Sequence, residues 1–299
     1  MSKKVVFGSH GAVVLEKNGN KITTVNYGAL LNQFSFQGFE FIESHASPEA
    51  LISGPTRAGC AVLMPFANRI SGGKYSFNGK SYFLPINERG RDNAIHGLLT
   101  DKVWDVICLY GDEAPEESVG EQRKVIYGYD FPGIGGYPFL FHAEVEYALG
   151  DSGLHVGLSV TNTGNTPLPL SMGTHPYYKV DGRLKDWVID FDSLGRFLTK
   201  DMIPTGEIVR ENPSGKIGDR SFDGCYALNG DLRLYNKRGL LIKMTGFPYV
   251  QLYTPPSRTS IAIEPMTGIP DAFNNGIGLK KLAPGEKFQA SYDVIPFEI

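Results

Sequence analysis

The 299-residue chain is poor in cysteine, in net charge and in long apolar runs, and each shortage removes a class of explanation. Its three cysteines, Cys60, Cys108 and Cys225, are an odd number, widely separated and without CxxC spacing. They suggest neither a disulfide framework nor a zinc knuckle, and thiols left unpaired fit a reducing, cytoplasmic compartment. The 29 Lys and Arg against 32 Asp and Glu leave a net charge of −3, so no basic footprint for a nucleic-acid partner is present. The longest near-apolar run, Cys60 to Ala67, contains Pro65 and falls far short of the roughly 20 residues a membrane span needs. The N-terminus, Met1-Ser2-Lys3-Lys4-Val5, is basic like the start of a secretory leader. It reaches Ser9, His10 and Gly11 before any apolar region forms, and the expectation is a first strand in a soluble protein.

Glycine and proline are abundant instead, at 36 and 19 residues, which argues for many turns and against a helical bundle. Between the turns lie short alternating segments. In His142 to Leu149, Ala143, Val145 and Tyr147 share one face and Glu144 and Glu146 the other, the period-two pattern of a half-buried strand. Leu154 to Thr161 alternates again, and Gly150-Asp151-Ser152-Gly153 between them has hairpin chemistry. Further strands are expected at Trp187 to Phe191, Leu240 to Met244, Val250 to Tyr253, Ser260 to Glu264 and Ala290 to Ile295. A helix is expected only near Ser47 to Ser53, where Ser47 offers an N-cap and Pro48 a first helical residue. No repeat, charge block or polar linker divides the chain. The expectation is all-β: one large antiparallel β-sandwich spanning residues 1–299 as a single domain.

Six histidines are candidates for chemistry. His142 and His155 lie within alternating strands and read as surface or satisfied residues; His10 and His45 flank turns. His96 and His175 interrupt the pattern, within Asn93-Ala94-Ile95-His96-Gly97-Leu98 and Gly173-Thr174-His175-Pro176-Tyr177-Tyr178, and loop-like breaks on a rigid scaffold are where sites gather. There is no HxH, HExxH, GxSxG or GxxxxGK[ST], which disfavours a metal centre, an acyl-serine and a nucleotide loop. Glu264 closes the apolar segment Ile261-Ala262-Ile263 just before Pro265. A carboxylate among residues that want burial needs a reason, although a strand-end Glu turned to water reads equally well from these residues alone.

Taken in order, the segments resemble the aldose 1-epimerase (galactose mutarotase) family over nearly the whole chain. The matching pieces are Pro65-Phe66-Ala67-Asn68-Arg69-Ile70, Asn93 to Leu98 leading to Trp104, Tyr137-Pro138-Phe139 and Gly173 to Tyr178. They continue with Phe222-Asp223-Gly224-Cys225-Tyr226, Val250-Gln251-Leu252-Tyr253, Glu264-Pro265-Met266 followed by Pro270-Asp271-Ala272-Phe273-Asn274, and Leu282 to Glu286. The resemblance implies a supersandwich with a monosaccharide held on one sheet, Glu264 as catalytic base and His175 as general acid. It implies Arg69, His96 and Asp223 as substrate-binding residues, and no cofactor or metal. Thr174 before His175 and Met266 after Pro265 depart from galactose mutarotases proper and leave the preferred sugar open.

The implied chemistry suits these residue types. Exchanging α and β anomers requires removing the C1 hydroxyl proton while protonating the ring oxygen; C1 then turns and the ring closes with the roles exchanged. Phe66, Tyr177 and Phe273 are candidates for the apolar face of the sugar. A hexose-6-phosphate mutarotase using Arg57, Arg69 or Arg91, and a non-catalytic sugar-binding module on the same fold, are the alternatives. A glycosidase would want a second well-placed carboxylate beside Glu264, and Asp223 is a poor fit.

Overall fold

The computed structural model describes residues 1–110 and 123–299. Each segment named above as a strand overlaps one, most with wider limits: His142–Leu149 extends to Phe141–Leu149, Leu154–Thr161 to Leu154–Asn162, and the final strand to Lys287–Glu298, whereas Trp187 and Ser260 lie just before strands that start at Val188 and Ile261. The helix Pro48–Ser53 starts where expected, with the Ser47 side chain accepting from Ala50 N. Ala143, Val145 and Tyr147 are wholly buried, as the alternation required.

Two antiparallel arrays make up most of the molecule. In the first, Asp105–Tyr110, Arg123–Phe131, Phe141–Leu149, Leu154–Asn162, Lys287–Glu298 and Arg238–Thr245 pair in succession. In the second, the N-terminal hairpins lead through Leu30–Phe36 and Cys60–Leu63 to Gly173–Tyr178, Ile261–Met266 and Tyr249–Tyr253. The 13-residue strand Asp223–Tyr235 joins them, because its first half pairs with Tyr249–Tyr253 and its last residues with Arg238–Thr245. The arrays face each other across the main core, in which Val62, Leu252 and Ile263 of one meet Val145, Val156 and Val294 of the other. The few polar groups between them are paired: Thr24 Oγ1 with Tyr127 Oη at 2.8 Å, Tyr147 Oη donating to Ala29 O at 2.7 Å, and Thr174 Oγ1 donating to Tyr292 Oη at 3.0 Å. Dry hydrogen bonds of this kind avoid the cost of an orphaned buried donor. The three cysteines are free thiols, and no helix among the described residues is long and apolar enough to cross a membrane.

Period two on the second array determines which side chains face away from that core. Ile261 and Ile263 point into it, so Ala262 and Glu264 point outward; Val250 and Leu252 point in, so Gln251 and Tyr253 point outward. The outer face is the one that carries polar chemistry.

Candidate active site

Strand register brings the key residues into two rows. Gly173 pairs with Met266 and Tyr177 with Ala262, which sets His175 opposite Glu264; Glu264 is in turn opposite Gln251, and Gln251 opposite Cys225. The adjacent row runs from Tyr177 through Ala262 and Tyr253 to Asp223. The His175 Nε2 to Glu264 Oε1 distance is 3.3 Å, and both side chains are buried, 6% and 2% exposed. Glu264 is therefore not a strand-end residue turned to water. The His175 ring lies stacked on Tyr177 at 4.8 Å and meets the edge of His96 at 5.2 Å. Tyr177 is fixed by donating its hydroxyl hydrogen bond to Thr56 O at 3.0 Å.

Two loop motifs form the opposite wall by pairing with each other. Ile70 pairs with Ala94 and Arg69 with Ile95, His96 N donates to Asn68 O at 3.0 Å, and Leu98 N donates to Met64 O at 2.7 Å. Asn68, His96 and Asp271 all have φ between 56° and 64°, a left-handed conformation that costs about 1–3 kcal/mol each for a non-glycine residue and gathers at functional sites. Asp271 explains the Pro-Asp-Ala-x-Asn motif. Its N–H donates to Arg69 O at 2.7 Å, its Oδ1 accepts from Ser71 N at 2.9 Å and from Asn274 Nδ2 at 2.7 Å, so the motif clamps the Arg69 backbone. Gly97 makes the turn beyond His96 at φ +79°, where a Cβ would lie 2.3 Å from Met64 O. Gly97→Ala is therefore expected to destabilise the protein by more than about 2 kcal/mol, from positive φ plus a backbone clash; a urea midpoint within error of wild type would refute this.

The cavity between these walls has a volume of about 320 Å³ and is lined by Arg69, Arg91, His96, His175, Tyr177, Asp223, Gln251 and Glu264, among others. Four buried side-chain atoms of residues that line it have no hydrogen-bond partner: His96 Nδ1, His175 Nδ1, Gln251 Oε1 and Glu264 Oε2. A second hollow of about 300 Å³ lies on the outer face of the other array around Gly157. Its polar groups already hold one another, Ser159 and Lys287 donating to Glu144 and His155 to Asp293.

All five residues implied by the resemblance, Glu264, His175, Arg69, His96 and Asp223, line the one cavity. Asp223 stands at its exposed rim and accepts from Gln251 Nε2 at 3.0 Å. Phe66 and Phe273 do not join them. They pack edge to face at 5.9 Å, Phe273 also against Tyr75, and both are buried in the core; of the three aromatic candidates only Tyr177 lines the cavity. Arg57 is exposed and lines a neighbouring hollow with Glu43 and His45. Gln251 and Glu88 carry polar contacts that sequence reading did not assign: Gln251 sat in a matched segment without a role, and Glu88 sat in no motif. His142 and His155 are paired with Asp130 and Asp293 at 2.7 Å, as their strand positions suggested.

Burial dominates the electrostatics. It raises Glu264 well above the ordinary carboxylate range, with Asp223 adding to the rise and Arg69 opposing it. It lowers His175 to about 4. His96 is pushed well below the usual imidazole value by burial first, then by His175 and Arg69. Asp223 is raised by the surrounding protein despite Arg69 and Arg91. The uncharged forms of Glu264 and His175 are thus favoured in the empty site, rather than a waiting imidazolium. Among the described residues no group of three or more His, Cys, Asp or Glu is arranged to hold a metal ion.

Comparison with known proteins agrees with this architecture. Residues 11–294 match the family model for aldose 1-epimerase. Two Escherichia coli K12 proteins described as uncharacterised are similar: YihR, 28% identical with 91% of this chain and 89% of that protein covered, and YphB, 27% identical with 77% and 81% covered. Among solved structures, a galactose mutarotase-like protein from Clostridium acetobutylicum superimposes with a TM-score of 0.89 at 19% identity, covering 100% of this chain and 99% of that one. A galactose 1-epimerase from Lactobacillus acidophilus superimposes with 0.83 at 21% identity, covering 100% and 98%. With a family model matched across nearly its whole length, the chain belongs to the aldose 1-epimerase family.

Proposed function

We propose that this protein is a mutarotase that interconverts the α and β anomers of a free hexose such as glucose or galactose. The observation that carries the reading is the buried 3.3 Å contact between His175 Nε2 and Glu264 Oε1 at the base of a polar cavity. Anomer exchange takes one proton from the sugar and gives one back, so an acid–base pair needs a single proton between its members. Burial keeps that proton on the carboxyl; across 3.3 Å it passes to the imidazole, producing carboxylate and imidazolium as neighbours. Glu264 then removes the C1 hydroxyl proton and His175 protonates the ring oxygen, opening the ring. After rotation at C1 the same groups act in reverse and the pair returns to its starting protonation.

Arg69 and His96 are suited to donating to the ring oxygen as charge shifts there, and Asp223 to accepting from hydroxyls. Tyr177 offers a face for the C–H side of the ring. Polarimetry of freshly dissolved α-D-glucose and α-D-galactose tests the proposal directly: equilibration should be faster with the protein present, and unchanged rates for both would refute a mutarotase of these sugars.

The phosphorylated alternative has one supporting observation, the presence of Arg91 at the cavity rim. Yet Arg69 Nε and Nη2 donate to Glu88, and Arg91 Nη1 donates to the same carboxylate at 3.1 Å, so the Glu88 charge already offsets part of the positive charge a dianion would need. We therefore expect kcat/KM for glucose or galactose to exceed that for glucose 6-phosphate. Anomer-exchange NMR at equal concentrations checks this, and a tenfold preference for the phosphate, lost in Arg91→Ala, would reverse the assignment.

A further inference from the structure

The side chain that organises the arginine wall is not itself in the cavity. Glu88 lies in the segment between Phe83 and Ala94, locked by its own hydrogen bonds: Glu88 N donates to Asn93 O at 3.0 Å, Arg91 N to Glu88 O at 3.1 Å, and Asn87 holds both the N–H and the C=O of Ile95 through its amide. Its carboxylate, 15% exposed, receives Arg69 Nε at 2.9 and 3.1 Å, Arg69 Nη2 at 2.8 Å, Arg91 Nη1 at 3.1 Å and Asn93 Nδ2 at 2.9 Å. Burial alone would raise this carboxyl; Arg69, Asn93 and Arg91 together outweigh it and hold it below the ordinary value.

A guanidinium has five N–H donors. Arg69 directs Nε and one Nη2 hydrogen to Glu88 and one Nη1 hydrogen to Asn68 Oδ1 at 3.2 Å. One N–H on each Nη remains for the cavity. The competing partners for the same guanidinium are Glu264 and Asp223, both of which feel its charge. We propose that Glu88 is a positioning residue that holds Arg69 aimed at the sugar and away from the catalytic carboxylate, an inference that rests on the mutarotase reading. Without Glu88, Arg69 swings toward Glu264 and Asp223, pairs with them, and turns a base poised by burial into a stabilised, weaker one. The groups facing Glu264 that share in its titration are His175, Asp223, Arg69, Tyr177 and the Cys225 thiol; of these only Arg69 is tied to Glu88.

The test compares wild type with Glu88→Ala, Glu88→Gln, Arg69→Ala and the Glu88→Ala/Arg69→Ala double variant, using glucose anomer exchange. Glu88→Ala is expected to lower kcat at least about tenfold with a smaller change in KM, and to move the limb governed by Glu264 to lower pH. In the Arg69→Ala background the same change should cost less than about threefold, since residues acting through one another are non-additive. Equal losses in both backgrounds, or wild-type activity in Glu88→Ala, would overturn the proposal. If Glu88→Ala does not fold, the isosteric Glu88→Gln carries the same kinetic comparison. Side-chain ¹⁵N NMR gives a readout independent of catalysis. The Arg69 Nε–H resonance, assigned by its absence in Arg69→Ala, should be slowly exchanging in wild type and lose that protection in Glu88→Gln; unchanged protection refutes the positioning role. A wild-type protein with no mutarotation but with this NMR signature would sink the function while leaving the Glu88–Arg69 arrangement intact.

Discussion

Glu264→Gln is expected to keep the fold and the sugar site but to lose roughly 10²–10⁴-fold in mutarotation, the range for a positioned acid–base group. Glutamine matches the shape of glutamate and keeps an oxygen acceptor, so the His175 contact and the row across the sheet persist. What disappears is the ability to take the C1 hydroxyl proton. The same change has a thermodynamic signature with a definite sign. Because the carboxyl is raised in the folded state, this group binds more protons in the folded protein than in the unfolded chain above its ordinary value of 4.5, and its contribution to stability falls as pH rises from there toward the folded value. Glu264→Gln removes that slope and should melt at or above the wild-type temperature at neutral pH. Circular dichroism checks the melting, saturation-transfer NMR the sugar binding, and polarimetry the rate. More than half of wild-type activity in the variant would remove Glu264 from the mechanism.

Replacing His175 should cost a similar factor and, more tellingly, reshape the pH profile. On the proposed mechanism the wild-type pair works with one proton on it, and the acid limb should appear only when a second proton binds, which burial delays until His175 takes it up at about 4. The pair titrates as a unit, so the limb belongs to both residues. In His175→Asn no proton can be handed across the 3.3 Å contact, and the base is lost as soon as Glu264 itself is protonated. Its raised value then sets the acid limb, which should move to higher pH. Residual activity with the wild-type limb would mean that another group governs it. Stability should respond independently: the His175 contribution is lost as pH falls from 6.5 toward about 4, because the unfolded chain protonates a histidine that the fold keeps neutral, and His175→Asn should lose that part of the slope.

The sequence was most informative where physics is local. Alternation in Phe141–Leu149 and Leu154–Asn162, the Ser47-Pro48 helix start and the Gly/Pro punctuation each depend on a few neighbouring residues, and each reappears in the structure. The residues of the site were also legible, through ordered segments that resemble a known family, yet not their protonation. Burial of Glu264 and His175 on one face arises from register between strands 89 residues apart in sequence, and no local pattern distinguishes a buried strand-end glutamate from a solvated one. Phe66 and Phe273 illustrate the converse: close to site residues in sequence, they pack on each other in the core, a tertiary contact that no local pattern announces.

Chain order alone left Glu88 invisible. It carries no recognisable motif, and its meaning depends on Arg69 being 19 residues away in sequence and 2.8 Å away in space. By itself the sequence determined the strands, the family and the candidate side chains that line the cavity, because hydrophobic period and residue type are written one position at a time. Tertiary structure alone decided which carboxylate is desolvated, which is held by arginines and which polar side chains share one cavity, because desolvation and charge pairing depend on distances that only the packed sheets set.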